Sequence, residues 1–167
     1  MSINMKRSSG RILILLLGVL SVGLVSTGIG YFFYCPCERT PGGWLLGDEI
    51  TEPVPDWSFV NEVGLCQIQV SAVLPHSINL NCMSANGQLY LSCSRCEGKY
   101  WSNAALENSL ARIRVEDHVY PVNITRIKDP QVLDEAWLAR GTKLGRSGQS
   151  PRPDHWWSFK IVSRQMK

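Results

Sequence analysis

Two hydrophobic patterns divide this chain. From Ile12 to Tyr34, ILILLLGVLSVGLVSTGIGYFFY, 23 apolar, small and aromatic residues follow one another without a charge. At 1.5 Å of rise per residue, a helix of that length crosses a hydrocarbon core of about 30 Å. A buried helix of a water-soluble domain would keep a polar face, and this segment has none. From Val63 onward the period becomes two. The apolar face is Cys66, Ile68, Val70 and Ala72 in the first alternating run, Ile78, Leu80 and Cys82 in the second, and Leu89, Leu91 and Cys93 in the third. Each run predicts a strand with one buried face, and Asn86-Gly87 predicts a two-residue hairpin between the second and third. Leu110 to Glu116, Val119 to Lys128 and His155 to Val162 are expected as three further strands. Residues 99–109 read as a short helix across one end of the sheet. Asp129-Pro130 starts another helix, an N-cap acceptor followed by proline at the first helical position. That helix is expected to reach about Leu144, with a stripe of Val132, Leu133, Ala136, Trp137 and Arg140.

The pattern also predicts register. A hairpin centred on Leu74 pairs Val70 with Ile78, Ile68 with Leu80 and Cys66 with Cys82. The Asn86-Gly87 hairpin pairs Cys82 with Leu91 and Leu80 with Cys93. Both registers set apolar residues opposite apolar ones, and they bring Cys66 and Cys82 within disulfide reach. Trp156 and Trp157 point to opposite faces of the last strand, one for the core and one exposed, the latter suited to packing against a partner or stacking on a cofactor.

Charge sets the topology. Lys6, Arg7 and Arg11 precede the apolar run, while Glu38 and Arg39 follow it and cancel, so the positive-inside rule leaves the N-terminus in the cytoplasm. The organisation expected is 1–11 as a cytoplasmic N-terminus, 12–34 as a single transmembrane helix, 35–57 as a Pro/Gly-rich linker with a short strand at Trp44 to Leu46, and 58–167 as one periplasmic or extracellular domain. A cleaved signal peptide is the rival reading. The aromatic end Tyr31 to Tyr34 favours an uncleaved anchor, and Phe32-Phe33-Tyr34 before Cys35 lacks the small residues of a lipoprotein cleavage site. The 14 acidic and 14 of the 17 basic residues lie after position 37. The outer domain is therefore near neutral, and a nucleic-acid partner is not expected.

The candidate chemistry is sparse. All six cysteines, Cys35, Cys37, Cys66, Cys82, Cys93 and Cys96, lie beyond the anchor, where an even number favours disulfides. Cys93-Ser94-Arg95-Cys96 could act as a redox pair, with Arg95 lowering a thiol pKa, but in an all-β meander a structural bridge is the preferred reading. Cys35, Cys37, Cys93 and Cys96 could instead supply four thiolates to a metal. That alternative ranks below oxidation, and no metal site is expected. His76, His118 and His155 show no ligand spacing. No carboxylate pair or nucleophile elbow is present, so no catalytic residue is assigned. Asn123-Ile124-Thr125 is a glycosylation sequon inside an expected strand. In the anchor, Gly23, Ser26, Thr27 and Gly30 form a small-residue stripe that lets another membrane helix approach.

Strands, a short helix, two strands, a helix and an aromatic last strand make a six-stranded antiparallel barrel with helices at its ends. The order resembles the split β-barrel of the pyridoxamine-phosphate-oxidase-like and deazaflavin-dependent reductase families. The stretch GQLYLSCSRCEGKYWSNAALENSLARIRVEDHVYPVNITRI carries most of the likeness, with Leu74-Pro75-His76-Ser77 and the Pro-x-Trp-Ser at Pro55 to Ser58. The resemblance covers roughly residues 44 to 163. It implies a mainly β, α+β fold with two or three short helices. It also implies a flavin (FMN) phosphate held by Ser92, Ser94, Arg95, Lys99 and Asn103, since hydroxyls, cations and a helix N-terminus are the groups a phosphate needs. Cys93 and Cys96 inside that loop depart from the family. Two functions are expected to compete. One is a non-catalytic accessory subunit packed with other membrane-protein subunits; the alternative is a membrane-tethered, FMN-type flavin oxidoreductase.

Overall fold

The computed structural model describes residues 5–33, 36, 39–146 and 151–165. Among them the chain forms α1 (Met5–Phe33), β1 (Asp48–Glu49), a 3-10 turn (Ser58–Glu62), β2 (Cys66–Val70), β3 (His76–Ala85), β4 (Gln88–Ser94), α2 (Tyr100–Glu107), β5 (Leu110–Val115), β6 (His118–Arg126), α3 (Pro130–Lys143) and β7 (Trp156–Ser163). Hydrogen bonding runs β6-β5-β2-β3-β4-β7, and β7 returns to β6, so six antiparallel strands close into a barrel. The expected fold class is the one that forms. Cys35 and Cys37 lie outside the described residues, as do the side chains of Tyr31 to Tyr34.

Alternation fills the barrel. Ile68 and Val70 of β2, Leu89 and Leu91 of β4, Ile113 of β5 and Phe159 and Ile161 of β7 are buried together on its inner face. α2 covers one end, where the Trp101 ring lies 5.2 Å from that of Phe159. The outer face of β3, β4 and β7 carries α3, with Met83, Tyr90, Ala136 and Trp156 in a second buried cluster and Trp137 edge-on to Trp156 at 5.1 Å. Asp129 caps α3 as expected, accepting from the Gln131 and Val132 amides. At its other end the Lys143 ammonium donates to the carbonyls of Val60 at 2.7 Å and Cys82 at 2.6 Å. β2 stops opposite Leu80, and Lys143 supplies a donor beyond that point. Burial holds the Lys143 pKa below its ordinary value. The Pro55–Ser58 element is structural: Asp56 accepts from the Ser58 amide and hydroxyl, and Trp57 enters the core.

Three expectations need correction. The β2–β3 register is two residues from the one expected, with Cys66 opposite Leu80, Ile68 opposite Ile78 and Val70 opposite His76. A shift of two leaves every side chain on its own face, so the hydrophobic pattern is blind to it. The loop decides: Ser71 to Pro75 form the turn, and its centre falls at Val73 instead of Leu74. The Cys66–Cys82 disulfide forms nonetheless, diagonally, with Cα atoms 5.7 Å apart. The Asn86-Gly87 hairpin forms as expected, both residues at positive φ, with Cys82 opposite Leu91, although its ladder ends at Asn81 opposite Ser92. Second, the strand before the barrel is Asp48–Glu49, parallel to β6, and not Trp44 to Leu46. Leu45 is buried instead, its amide bonded to Gln69 Oε1. Third, Trp156 is buried but Trp157 is half-buried: it packs against the barrel core, and the Arg126 guanidinium lies 3.4 Å over its ring.

α1 is exposed along Gly10–Gly30, a stretch of mean hydropathy 2.5 that is long and apolar enough to cross a membrane. Gly23, Ser26, Thr27 and Gly30 all lie on this exposed surface, and the Thr27 hydroxyl returns to the Gly23 carbonyl at 2.8 Å.

Two stability measurements check this fold. Cys66→Ala with Cys82→Ala opens a loop of sequence separation 16 and should lower the unfolding free energy of the solubilised protein by about 3 kcal/mol, read from chemical denaturation; an unchanged midpoint would contradict the pairing. Lys143→Met keeps the aliphatic stem but strands two carbonyls, and should cost about 1–3 kcal/mol in the same assay.

Candidate functional site

β4 leaves the barrel at Ser94, and the chain must turn sharply to begin α2 at Tyr100. Arg95 at φ 60° and Gly98 at φ 73° make that turn. The Cys93–Cys96 disulfide, Cα atoms 5.6 Å apart, closes it, and Ser102 Oγ donates to the Cys96 and Lys99 carbonyls. Cys93 is 7% exposed and Cys96 0%. Sulfurs so enclosed are shielded from thiol exchange, and the pair reads as a structural clamp. Among the described residues no three His, Cys, Asp or Glu side chains gather as metal ligands.

The five side chains expected around a phosphate have different fates. Ser92 is buried on the outward face of β4, between Asn81 of β3 and Ser158 of β7. Ser94, Arg95 and Asn103 are exposed. Lys99 lines a sizeable cleft, with its ammonium 4.0 Å from Cys93 Sγ.

That cleft, about 580 Å³, lies between the start of β3 and the start of α2. His76, Ile78, Asn79 and Leu80 form one wall, Lys99, Tyr100 and Trp101 another, and Arg39, Thr40 and Pro41 of the preceding segment a third. Two backbone hydrogen bonds between Gly42 and Ser77, 2.8 and 2.9 Å, hold this third wall on β3. His76 meets the Tyr100 ring edge-on at 4.9 Å, and burial lowers its pKa from the ordinary histidine value. The cleft thus brings together an imidazole, a phenol, apolar side chains and two cations. Lys99 was accessible to sequence reasoning; Arg39, His76 and Tyr100 were not grouped with it. Only the alternation of β3, which turns His76 to the same side as Ile78, pointed that way. His118 and His155 are exposed, and Asn123 sits in mid-strand opposite Leu110 and Val162.

No family model matches the chain, and no curated protein matches it by sequence. Among solved structures it is similar to a candidate pyridoxamine 5′-phosphate oxidase from Listeria innocua, with TM-score 0.51 and 12% identity over 64% of this chain and 88% of that one. It is also similar to a candidate 5-nitroimidazole antibiotic resistance protein from Bacteroides thetaiotaomicron, with TM-score 0.52 and 11% identity over 79% and 92%. At such identities the likeness is one of fold, and the fold is the split β-barrel of pyridoxamine-phosphate-oxidase-like proteins.

Proposed function

We propose that this chain is a membrane-anchored accessory subunit whose split barrel serves as a non-catalytic binding and structural module. In this reading α1 is a single-pass anchor with a cytoplasmic N-terminus, and the barrel packs on the extracytoplasmic face of a larger membrane complex. The observation that carries it is the fate of the β4–α2 loop. In the implied flavin site, that loop would gather hydroxyls and cations around one phosphate. Here it is tied off by Cys93–Cys96, and Ser92, Ser94, Arg95 and Asn103 stand apart from the cleft that Lys99 lines. The residues present therefore do not fit the implied phosphate site. Disulfides at Cys66–Cys82 and Cys93–Cys96 accord with an oxidising compartment, and the exposed stripe at Gly23, Ser26, Thr27 and Gly30 accords with neighbouring membrane helices.

The second reading, a tethered flavin-type oxidoreductase, draws on the cleft itself. Arg39 and Lys99 could hold an anionic tail while Tyr100 and Trp101 flank a ring.

Absorption spectroscopy of the gently solubilised full-length protein separates the two. The accessory reading expects no flavin bands and co-elution with a larger assembly. Stoichiometric bound flavin would overturn it, and Lys99→Glu should then release that flavin.

A further inference from the structure

The cleft at the α2 end differs from the rest of the barrel in how its charges are matched. Cations elsewhere find partners: Arg112 with Glu49, Arg114 with Asp117 and Arg152 with Asp134, Lys143 on two carbonyls, and Arg126 and Arg140 over indole rings. Arg39 and Lys99 line the cleft from two different walls, and no carboxylate lines it. Glu97, in the loop before Lys99, is exposed and lies outside the walls. Among the described residues neither cation of the cleft belongs to an ion pair. Acidic and basic residues beyond position 37 balance at 14 each, so the excess of positive charge is local to the cleft and not part of a generally basic surface.

The cations are also held in place in advance. The Pro36 carbonyl accepts from Gln67 Nε2 and Asn79 Nδ2, each at 3.2 Å, and Gly42 exchanges two backbone hydrogen bonds with Ser77. Arg39, Thr40 and Pro41 therefore lie between two points fixed on β2 and β3. The Lys99 amide donates to the Cys96 carbonyl at 3.2 Å, within the loop that Cys93–Cys96 closes. A site whose backbone is already ordered loses little freedom on binding. Cations on separate elements suit carboxylates on successive residues of a polypeptide better than the single headgroup of a phosphate. Next to Lys99, Tyr100 is 55% exposed and meets His76 edge-on. A bare ion would leave that ring uncovered, whereas Tyr, Trp and Arg are residue types concentrated where proteins bind proteins.

We propose that the cleft of Arg39, His76, Lys99 and Tyr100 docks an acidic segment of a partner subunit, with Asp or Glu carboxylates on Arg39 and Lys99 and an apolar side chain against Tyr100. This rests on the accessory-subunit reading and names the chemistry of its partner.

The test encodes the photoreactive amino acid p-benzoylphenylalanine at position 100 of the full chain in native membranes or, as the control, at position 117 in the β5–β6 turn. Val70 opposite Ala111 and Gln67 opposite Arg114 put that turn at the other end of the barrel. Position 100 should cross-link to a peptide rich in Asp and Glu, identified by mass spectrometry, that position 117 does not reach. Arg39→Glu with Lys99→Glu should lower the yield several-fold in a protein whose thermal unfolding is unchanged, and Arg39→Lys with Lys99→Arg should keep it. Arg39→Gln, at an exposed side chain, should lower it without introducing a new charge. A cross-linked segment that lacks carboxylates, or a yield that survives these changes, overturns the proposal. No cross-link at position 100 in a protein that still co-elutes with a larger assembly also overturns it and leaves the accessory reading standing. Elution without any assembly overturns that reading, and this inference with it.

Discussion

Closure of the sheet is the constraint from which the rest follows. β6 bonds to β5 on one side and β7 on the other, so the barrel proper leaves no strand edge for another chain to extend. A barrel of so few strands has an interior only wide enough for its own side chains, and Ile68, Leu91, Ile113, Phe159 and Ile161 occupy it. Nothing can bind inside. Ligands and partners are confined to the two ends, the outer faces and the segments laid across them, and that is where every unusual feature of this molecule lies.

At the α2 end the confinement produces a cleft without a complete anion site. α2 has 8 residues, enough to seat Trp101, Ala104 and Ala105 on the core but too few to cover the start of β3. The segment at Arg39 to Pro41 borders the gap. A phosphate there would meet cations that approach from separate elements, Arg39 from the entry segment and Lys99 from the helix start. The Thr40 hydroxyl and the Asn79 amide line the same cleft, on the entry segment and on β3. The Cys93–Cys96 clamp adds to this, because a loop fixed by a buried disulfide cannot remodel itself around a ligand.

Much of this was legible in sequence because it depends on local periodicity. The six strands, the Asn86-Gly87 turn and the Asp129 cap all follow from spacing within a few residues, whereas Cys66 and Cys82 meet diagonally and not in the direct register expected. What was missed depends on geometry that periodicity cannot encode. A two-residue register shift in β2–β3 preserves both faces, so only the turn could reveal it. Leu45 and Trp57 looked like linker because their burial comes from distant strands, against Gln69 in one case and the barrel core in the other. The site was read too locally: Ser92, Ser94, Arg95, Lys99 and Asn103 are neighbours in sequence, but a strand followed by a helix sends successive side chains to different sides. Arg39 and His76, far from them in the chain, come to the cleft with Lys99 instead.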